Sequence, residues 1–529
     1  MSDPKKTCAF HQPRWCEPVI FDLSTCGERG ILLPEIEPEV EQSGTKALEE
    51  LPAELRRKEA PRLPEMAQMR VLKHYLHLAQ ENLGADLNVD IGQGTCTMKY
   101  SPKINDQFAI SPQVSGLHPL QDESTMQGAL KIMFELEQYL KAISGMDRFS
   151  LQPGGGSQAI LTIVSMIRAW VDDQGLSGTK DEIITTIFSH PSNCAVAKIK
   201  GFKVINIYPD PETGRPDFEA FKEAVSDKTA ALLITNPEDI GIYNENIKAL
   251  TDLVHAHGGL CSYDQANANG ILGITRAREA GFDFCFFNVH KTFSSPHGCG
   301  GPGCGVVGVK EDLIPYLPVP LTSYDQGGNR YYLDYEVPKT IGKVKDYYGV
   351  IPAIVRAYAW IRSLGAEGLL EVARVAVLNN NYVLNRVRSM KGTAAPYAGG
   401  EHRMEQVRYS LEPLKDETGC GFDEVQRRMS DFMGHIWGSH EPFVVPEPFT
   451  IEPTESYSKT EIDQYLDALE EIIEEAYTTP EVLKTAPHNS AIHHIKAHEY
   501  LDDPALWAIT WRMYNKRFEG YFQPKQEQS

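Results

Sequence analysis

The chain has no apolar run long enough to span a bilayer. Its opening stretch, "MSDPKKTCAFHQPRWCEPVI", lacks the continuous apolar segment of a secretory leader, so neither membrane insertion nor secretion is expected. Basic charge is also short. The 51 lysines and arginines stand against 72 acids, a formal net charge of -21, and no basic stripe offsets them. Nucleic acid is therefore excluded as an expected partner, and the acids read as solvated surface. The 10 cysteines show neither zinc-ligand spacing nor a disulfide frame, which points to reduced thiols in a cytoplasmic protein. Internal repeats and low-complexity tracts are absent as well.

What is present is a chain of 529 residues, 42% hydrophobic, longer than one core usually organises. Residues 1 to about 60 are rich in proline and glutamate and suggest an arm lying over a surface. Helical periodicity follows over 65–84 and 124–146. Short, β-rich apolar runs then recur at 181–188, 202–208, 229–235, 259–264 and 282–287, with helices such as 244–258 between them. Apolar strands separated by helices predict an α/β fold with a largely parallel sheet covered on both faces. A long helical stretch at 353–390 leads into a mixed α/β region that contains the acidic helix 459–477. The expected division is an N-terminal arm with helices over 1–110, a large α/β domain over 111–350, a smaller α/β domain over 351–500 and a tail over 501–529.

Ligands of parallel sheets sit at the carboxyl ends of the strands. The turn Gly155-Gly156-Ser157-Gln158 opens a helix and can present backbone N–H groups and a hydroxyl to an anion. Asp264 ends an apolar strand, where a carboxylate is either a plain turn former or a partner for a protonated ring nitrogen. Lys291, in "NVHKTFSSPHGCGGPGCG", follows a strand and runs into five glycines, a place where an amine is hard to solvate and where backbone approaches something closely. An anion turn, an acid and a late lysine, in that order, are what pyridoxal 5'-phosphate needs for its phosphate, its ring nitrogen and its aldehyde.

Four separated segments then resemble one family. "GTCTMKYSPKIN" is similar to its "GSCTMKYNPKIN", "TNPEDIGIYNENI" to "TNPNTLGLFEENI", "HKTFSSPHGCGGPGCGVVGV" to "HKTFxxPHGGGGPGxGPVGV", and "IEPTESYSKTEIDQYLDAL" to "IEPTExESKETLDxFIxAL". The family is the pyridoxal-phosphate P-protein of the glycine cleavage system, in the lysine-bearing C-terminal subunit of its two-subunit form. The resemblance implies a fold-type I, aspartate-aminotransferase-like enzyme. It implies Lys291 as the Schiff-base lysine, Asp264 on the pyridine nitrogen and His190 stacked on the ring. Gly156, Ser157 and Gln158, beside Gly155, would hold the phosphate, Asn236 would reach the phenolic oxygen, and Thr292 and His297 would flank the site. Gly298, Gly300, Gly301, Gly303 and Gly305 would let the chain turn beside cofactor and partner subunit. The implied reaction is decarboxylation of glycine, with transfer of the aminomethyl group to the lipoyl arm of H-protein and a non-identical subunit 1 completing the enzyme.

Some positions depart from the family pattern. "FYPLGSCTMK" reads "DIGQGTCTMK", "HGTNPAS" reads "HPSNCAV", "DGAN" reads "DQAN", and "CMHEFV" reads "RMEQVR", which puts Glu405 where a histidine would stand. These lie on the expected substrate side, so a paralogue acting on another amino acid or amine is the alternative. Arg356 and Arg362 are candidate carboxylate binders, although arginines on helix faces are usually solvated. Gly298, Gly300 and Gly303 fit a dinucleotide fingerprint, but no helix follows them. The histidines of 488–499 have irregular spacing, and no metal site is expected there.

Overall fold

The structure, a computed structural model, describes residues 11–31, 34–59, 61, 63–82, 99–296, 303–397, 402–432, 434–440 and 443–491. These fall into two compact units, one drawn from Gly84–Lys484 and the other from Phe10–Leu83 with Thr485–Ser529. None of the described helices is long and apolar enough to cross a membrane, and the described cysteines are all free.

In the smaller unit, the expected arm contains a helix, Pro38–Glu49, that buries none of its residues. The helix Gln68–Gln80 lies inside the predicted 65–84. One helical turn separates His74 from His77, so both reach the Glu17 carboxylate, and Trp15 stacks on His77 with ring centroids 4.0 Å apart. Arg14 donates to the carbonyls of His488 at 3.0 Å and Ser490 at 2.9 Å, joining the arm to residues from the far end of the sequence.

The larger unit is built on a seven-stranded sheet: β1 (Arg148–Ser150), β2 (Glu182–Thr186), β3 (Lys203–Ile207), β4 (Thr229–Thr235), β5 (Leu260–Gln265), β6 (Phe284–Asn288) and β7 (Gly305–Val309). Their order is β1-β7-β6-β5-β4-β2-β3. Strands β2 to β6 pair in parallel, and β7 runs antiparallel to both β6 and β1. It follows that β1 points the same way as the parallel strands, and every strand except β7 ends on one edge.

The period of two along β4 sends Leu232 and Ile234 to one face and Ala231 and Leu233 to the other. Helices Gln127–Ser144 and Ile351–Arg388 cover the first face through Leu130, Leu136, Ile354 and Trp360. Helix Gly156–Asp173 covers the second through Ile160 and Ile163. Because both faces are buried, the strands read as continuous apolar runs. A hairpin of β8 (Leu321–Asp325) and β9 (Arg330–Asp334) follows the sheet. The helix predicted at 353–390 is one element with a break: Gly365 has φ 65° and ψ -174° inside it. Beyond that break, Val383, Leu384 and Val387 pack in a separate core with β10 (Val407–Ser410), β11 (Pro448–Ile451) and helix Lys459–Thr478.

One loop ties this second core to the sheet. Gly241, after β4, has φ +77°, and a Cβ built on it would lie 1.8 Å from the Gln406 carbonyl oxygen. Met404 N–H donates to Gly241 O at 2.9 Å, and Gln406 Nε2 donates to Asp239 O at 2.8 Å. Gly419 also has a positive φ, +75°, but open space around its Cβ position. Gly241→Ala is expected to lose about 1–3 kcal/mol more stability in chemical denaturation than Gly419→Ala, since both bear the backbone strain and only the first bears the clash. Equal losses would mean that this contact gives way freely.

Candidate active site

The loops that leave the common strand edge converge on one cleft, and each enters with a side chain whose state is set by burial. After β2 comes His190, which caps helix Pro191–Ile199: its Nδ1 accepts from Ser192 N–H at 3.2 Å. Burial, and then the nearby charge of Lys291, push the imidazole down to about 4, so at neutral pH the ring is an uncharged slab. At the end of β5 stands Asp264. Burial raises its carboxyl to about 6, against the pull of Ala266 N–H at 3.1 Å, Lys291, and Asn193 Nδ2 at 3.2 Å. An acid held this way gains from a cation placed beside it.

After β6 comes Lys291, buried, its N–H donating to Asn288 O at 3.0 Å. Thr292 is fully buried and its hydroxyl accepts from Ala268 N–H at 2.9 Å, which locks the loop carrying Lys291 to the loop that follows Asp264. His190, Asp264 and Lys291 thus line the same cleft.

The glycine turn after β1 reaches the same edge. Gly155 is extended, and a Cβ there would meet open space, whereas one on Gly156 would lie 2.8 Å from Asn288 Nδ2. Ser157 is exposed in the first helical turn, where backbone N–H groups have no helical partner. The Gln158 amide braces the turn instead of facing outward: its oxygen accepts from Gly154 N–H at 2.6 Å and its nitrogen donates to Val344 O at 2.5 Å. Asn236 is likewise engaged. Its amide donates to Asn244 O at 3.1 Å and accepts from Asn244 N–H at 2.7 Å, which shapes the loop that brings Asp239 to the cleft.

Two of the glycines after Lys291 have a local explanation. A Cβ on Gly303 would lie 2.8 Å from His290 Nδ1, and one on Gly305 would lie 2.6 Å from Gly155 O. They let β7 pass under the lysine loop and the anion turn. His297, Gly298, Gly300 and Gly301 lie outside the described residues, as do 492–499 of the histidine run. Neither candidate arginine, Arg356 or Arg362, lines the cleft: Arg356 pairs with Asp106 at 2.6 Å and Arg362 lies 3.6 Å from Glu135.

The sequence placed Glu405 on the substrate side through its departure from the family pattern, but it did not mark Asp239 or Glu452. Glu405 and Asp239 line the cleft, and Glu452 accepts from Asn267 at 2.8 Å and Asn269 at 2.6 Å on the loop after β5. Burial raises Glu405 to about 8 and Glu452 to about 7. Glu405 precedes β10 and Glu452 follows β11, strands outside the main sheet, and apart from that departure nothing local to either marks it as a cleft residue. Open space at a helix start, a neutral ring, a raised acid and a buried amine together fit a phosphorylated aromatic aldehyde with a basic ring nitrogen.

Two family patterns match the chain: glycine dehydrogenase, C-terminal domain, over residues 372–494, and aminotransferase class-V over residues 154–332. A probable glycine dehydrogenase (decarboxylating) subunit 2 of Pyrococcus horikoshii is 47% identical over 507 residues, 96% of this chain and 98% of that protein. Its counterpart in Halalkalibacterium halodurans is 40% identical over 477 residues, 90% of this chain and 94% of that one. A crystal structure of glycine decarboxylase (P-protein) of the glycine cleavage system, in inhibitor-bound form, matches with a TM-score of 0.71 at 17% identity, over 84% of this chain and 100% of the other. A sphingosine-1-phosphate lyase of Burkholderia pseudomallei matches with a TM-score of 0.59 at 17% identity, over 80% and 94%. At these identities the structures show the fold, which is the aminotransferase-like one expected from the sequence.

Raised carboxyls predict a pH dependence. Glu238, which accepts a hydrogen bond from the Thr186 hydroxyl, is pushed by burial from 4.5 up to about 8. A folded-state value above the unfolded one gives stability that is full below about pH 4.5 and lost as pH rises through about 8. Thermal melting of the cofactor-free protein should therefore fall between pH 6 and 9, and Glu238→Gln should flatten that fall. An unchanged slope in the variant would show that Glu238 is ionised throughout.

Proposed function

The chain belongs to the glycine dehydrogenase (decarboxylating) subunit 2 family, and from that premise we propose that it binds pyridoxal 5'-phosphate and decarboxylates glycine, passing the aminomethyl group to the lipoyl arm of an H-protein. That the relatives are named subunit 2 supports a partner subunit 1 as part of the working enzyme. The observation that carries the reading is the meeting of Lys291, Asp264 and His190 in one cleft.

When bound, pyridoxal phosphate supplies an electron sink for the bond to the departing carboxylate. The chain supplies the rest. Lys291 would offer the amine that holds the cofactor's aldehyde carbon. Asp264 would keep the ring nitrogen protonated: ionised, it would gain a cation beside its buried carboxylate. His190, uncharged, would line the place of the ring without competing for that proton. The first turn of helix Gly156–Asp173 holds the phosphate through backbone N–H groups and the Ser157 hydroxyl. The buried walls keep water from the reacting carbon, so each interaction acts at low dielectric.

Lys291→Ala should abolish the lysine-dependent cofactor absorbance and lower exchange of labelled bicarbonate into glycine at least about 1,000-fold, measured with subunit 1 and lipoylated H-protein present. Asp264→Asn should retain cofactor but slow exchange about 100-fold or more, as loss of an electrostatic partner does. Wild-type protein that takes up cofactor yet exchanges no label with both partners present would overturn the glycine reading. Cofactor absorbance unchanged in Lys291→Ala would overturn the lysine's role.

A further inference from the structure

The Glu405 carboxyl stands in the cleft wall without a counter-ion. The residue is 2% exposed, and its Oε2 has no hydrogen-bond partner among the described residues. A Cβ on Gly270 would lie 2.3 Å from that oxygen, so the loop after β5 presses directly on the carboxyl and only glycine permits the approach. Glu452, anchored to the same loop through its Oε1, also leaves its Oε2 unpartnered.

The surrounding charges decide its state. Glu452 and Asp239 both oppose ionisation of Glu405, while its own backbone N–H and that of Gly270 favour it. Arg408 faces Asp239 at 3.3 Å, and Lys99 lies 3.1 Å from Glu455. Lys291, in the same cleft, acts on Glu452 and Asp264. A carboxyl buried among acids keeps its proton, and a protonated carboxyl is a donor with nothing yet to donate to.

We propose that Glu405 stands in the cleft as a neutral carboxylic acid whose O–H is the hydrogen-bond donor for the carboxylate of the substrate amino acid. The proposal rests on the reading that this cleft binds an amino acid. Arg356 and Arg362 are held elsewhere, so neither is that reader. A neutral donor also suits the chemistry better than a guanidinium clamp. Charge leaves the carboxylate as carbon dioxide departs, and a full ion pair would stabilise the starting state more than the transition state. Glu405 occupies a position where the family pattern has histidine.

Two measurements test it. Infrared difference spectra of the cofactor-free protein, wild type minus Glu405→Gln, should contain the carbonyl stretch of a protonated carboxylic acid at pH 6.5, replaced by carboxylate bands as pH passes about 8. Only carboxylate bands at pH 6.5 would overturn the proposal whatever the substrate is. With cofactor bound, titrations of glycine and of methylamine are compared by absorbance. Glu405→Ala should weaken glycine about tenfold or more and leave methylamine unchanged, the expected effect of losing one hydrogen bond to a charged group. Glu405→Gln, which keeps a donor, should stay within about threefold of wild type at pH 7 and lose the decline of glycine affinity through pH 8. Equal weakening of glycine and methylamine in Glu405→Ala would overturn the carboxylate contact. If wild type ignores glycine, the glycine reading fails by itself, and alanine against ethylamine puts the same question to Glu405.

Discussion

A single directional constraint governs the larger unit: strands β2 to β6 run parallel. Parallel pairing requires crossovers, and crossovers lay helices on both faces of the sheet. It also delivers the end of each strand to one edge, with the registers Thr235 to Asp264 and Gln265 to Phe287 keeping those ends level. His190, Asp239 and Lys291 come from three different loops and Asp264 from the end of β5, yet the sheet sets their spacing before any side chain contributes. The hydrogen bond from Ala268 to Thr292 then fixes two of the loops to one another.

The core and the cleft were legible in the sequence to different degrees. Strand centres were readable because both faces are buried, so "TAALLIT" and "FDFCFF" appear as unbroken apolar runs. Strand β1 was not, since its three residues offer no period, whereas "GVVGV" of β7 reads as strand-like despite its glycines. Gly365 lies within an otherwise periodic helix, and only its left-handed φ reveals the break. Lys291 and Asp264 were found because each directly ends or follows an apolar strand, and His190 was found through the family resemblance. Glu405 was reached only through its departure from the family pattern, and Glu452 was not found, because what brings them to the cleft is the tertiary contact of Gly241 with Gln406 and of Asn267 with Glu452.

The glycines near Lys291 show how a correct signal can have a more local cause than expected. Glycine density beside a lysine suggested close backbone approach to a cofactor or a partner. At Gly303 and Gly305 the close approach is internal, to His290 and to the carbonyl of Gly155. The consequence still reaches the site. The antiparallel strand β7 passes between β6 and β1, so the lysine loop and the anion turn are held against a common strand without bulk between them.

The cleft has a further property that no single residue carries. Asp264, Glu405 and Glu452 are all raised by burial, so these groups hold more protons than they would in water. A cation entering beside Asp264 draws that carboxyl toward ionisation, while an anion entering beside Glu405 favours its protonated form. The two carboxyls thus respond in opposite directions to an occupant that is positive at one place and negative at another. A bound zwitterion on a protonated ring satisfies both demands at once, whereas an amine without a carboxylate satisfies only the first. Selectivity for an amino acid then follows from protonation states fixed by burial, without a dedicated cation to hold the carboxylate.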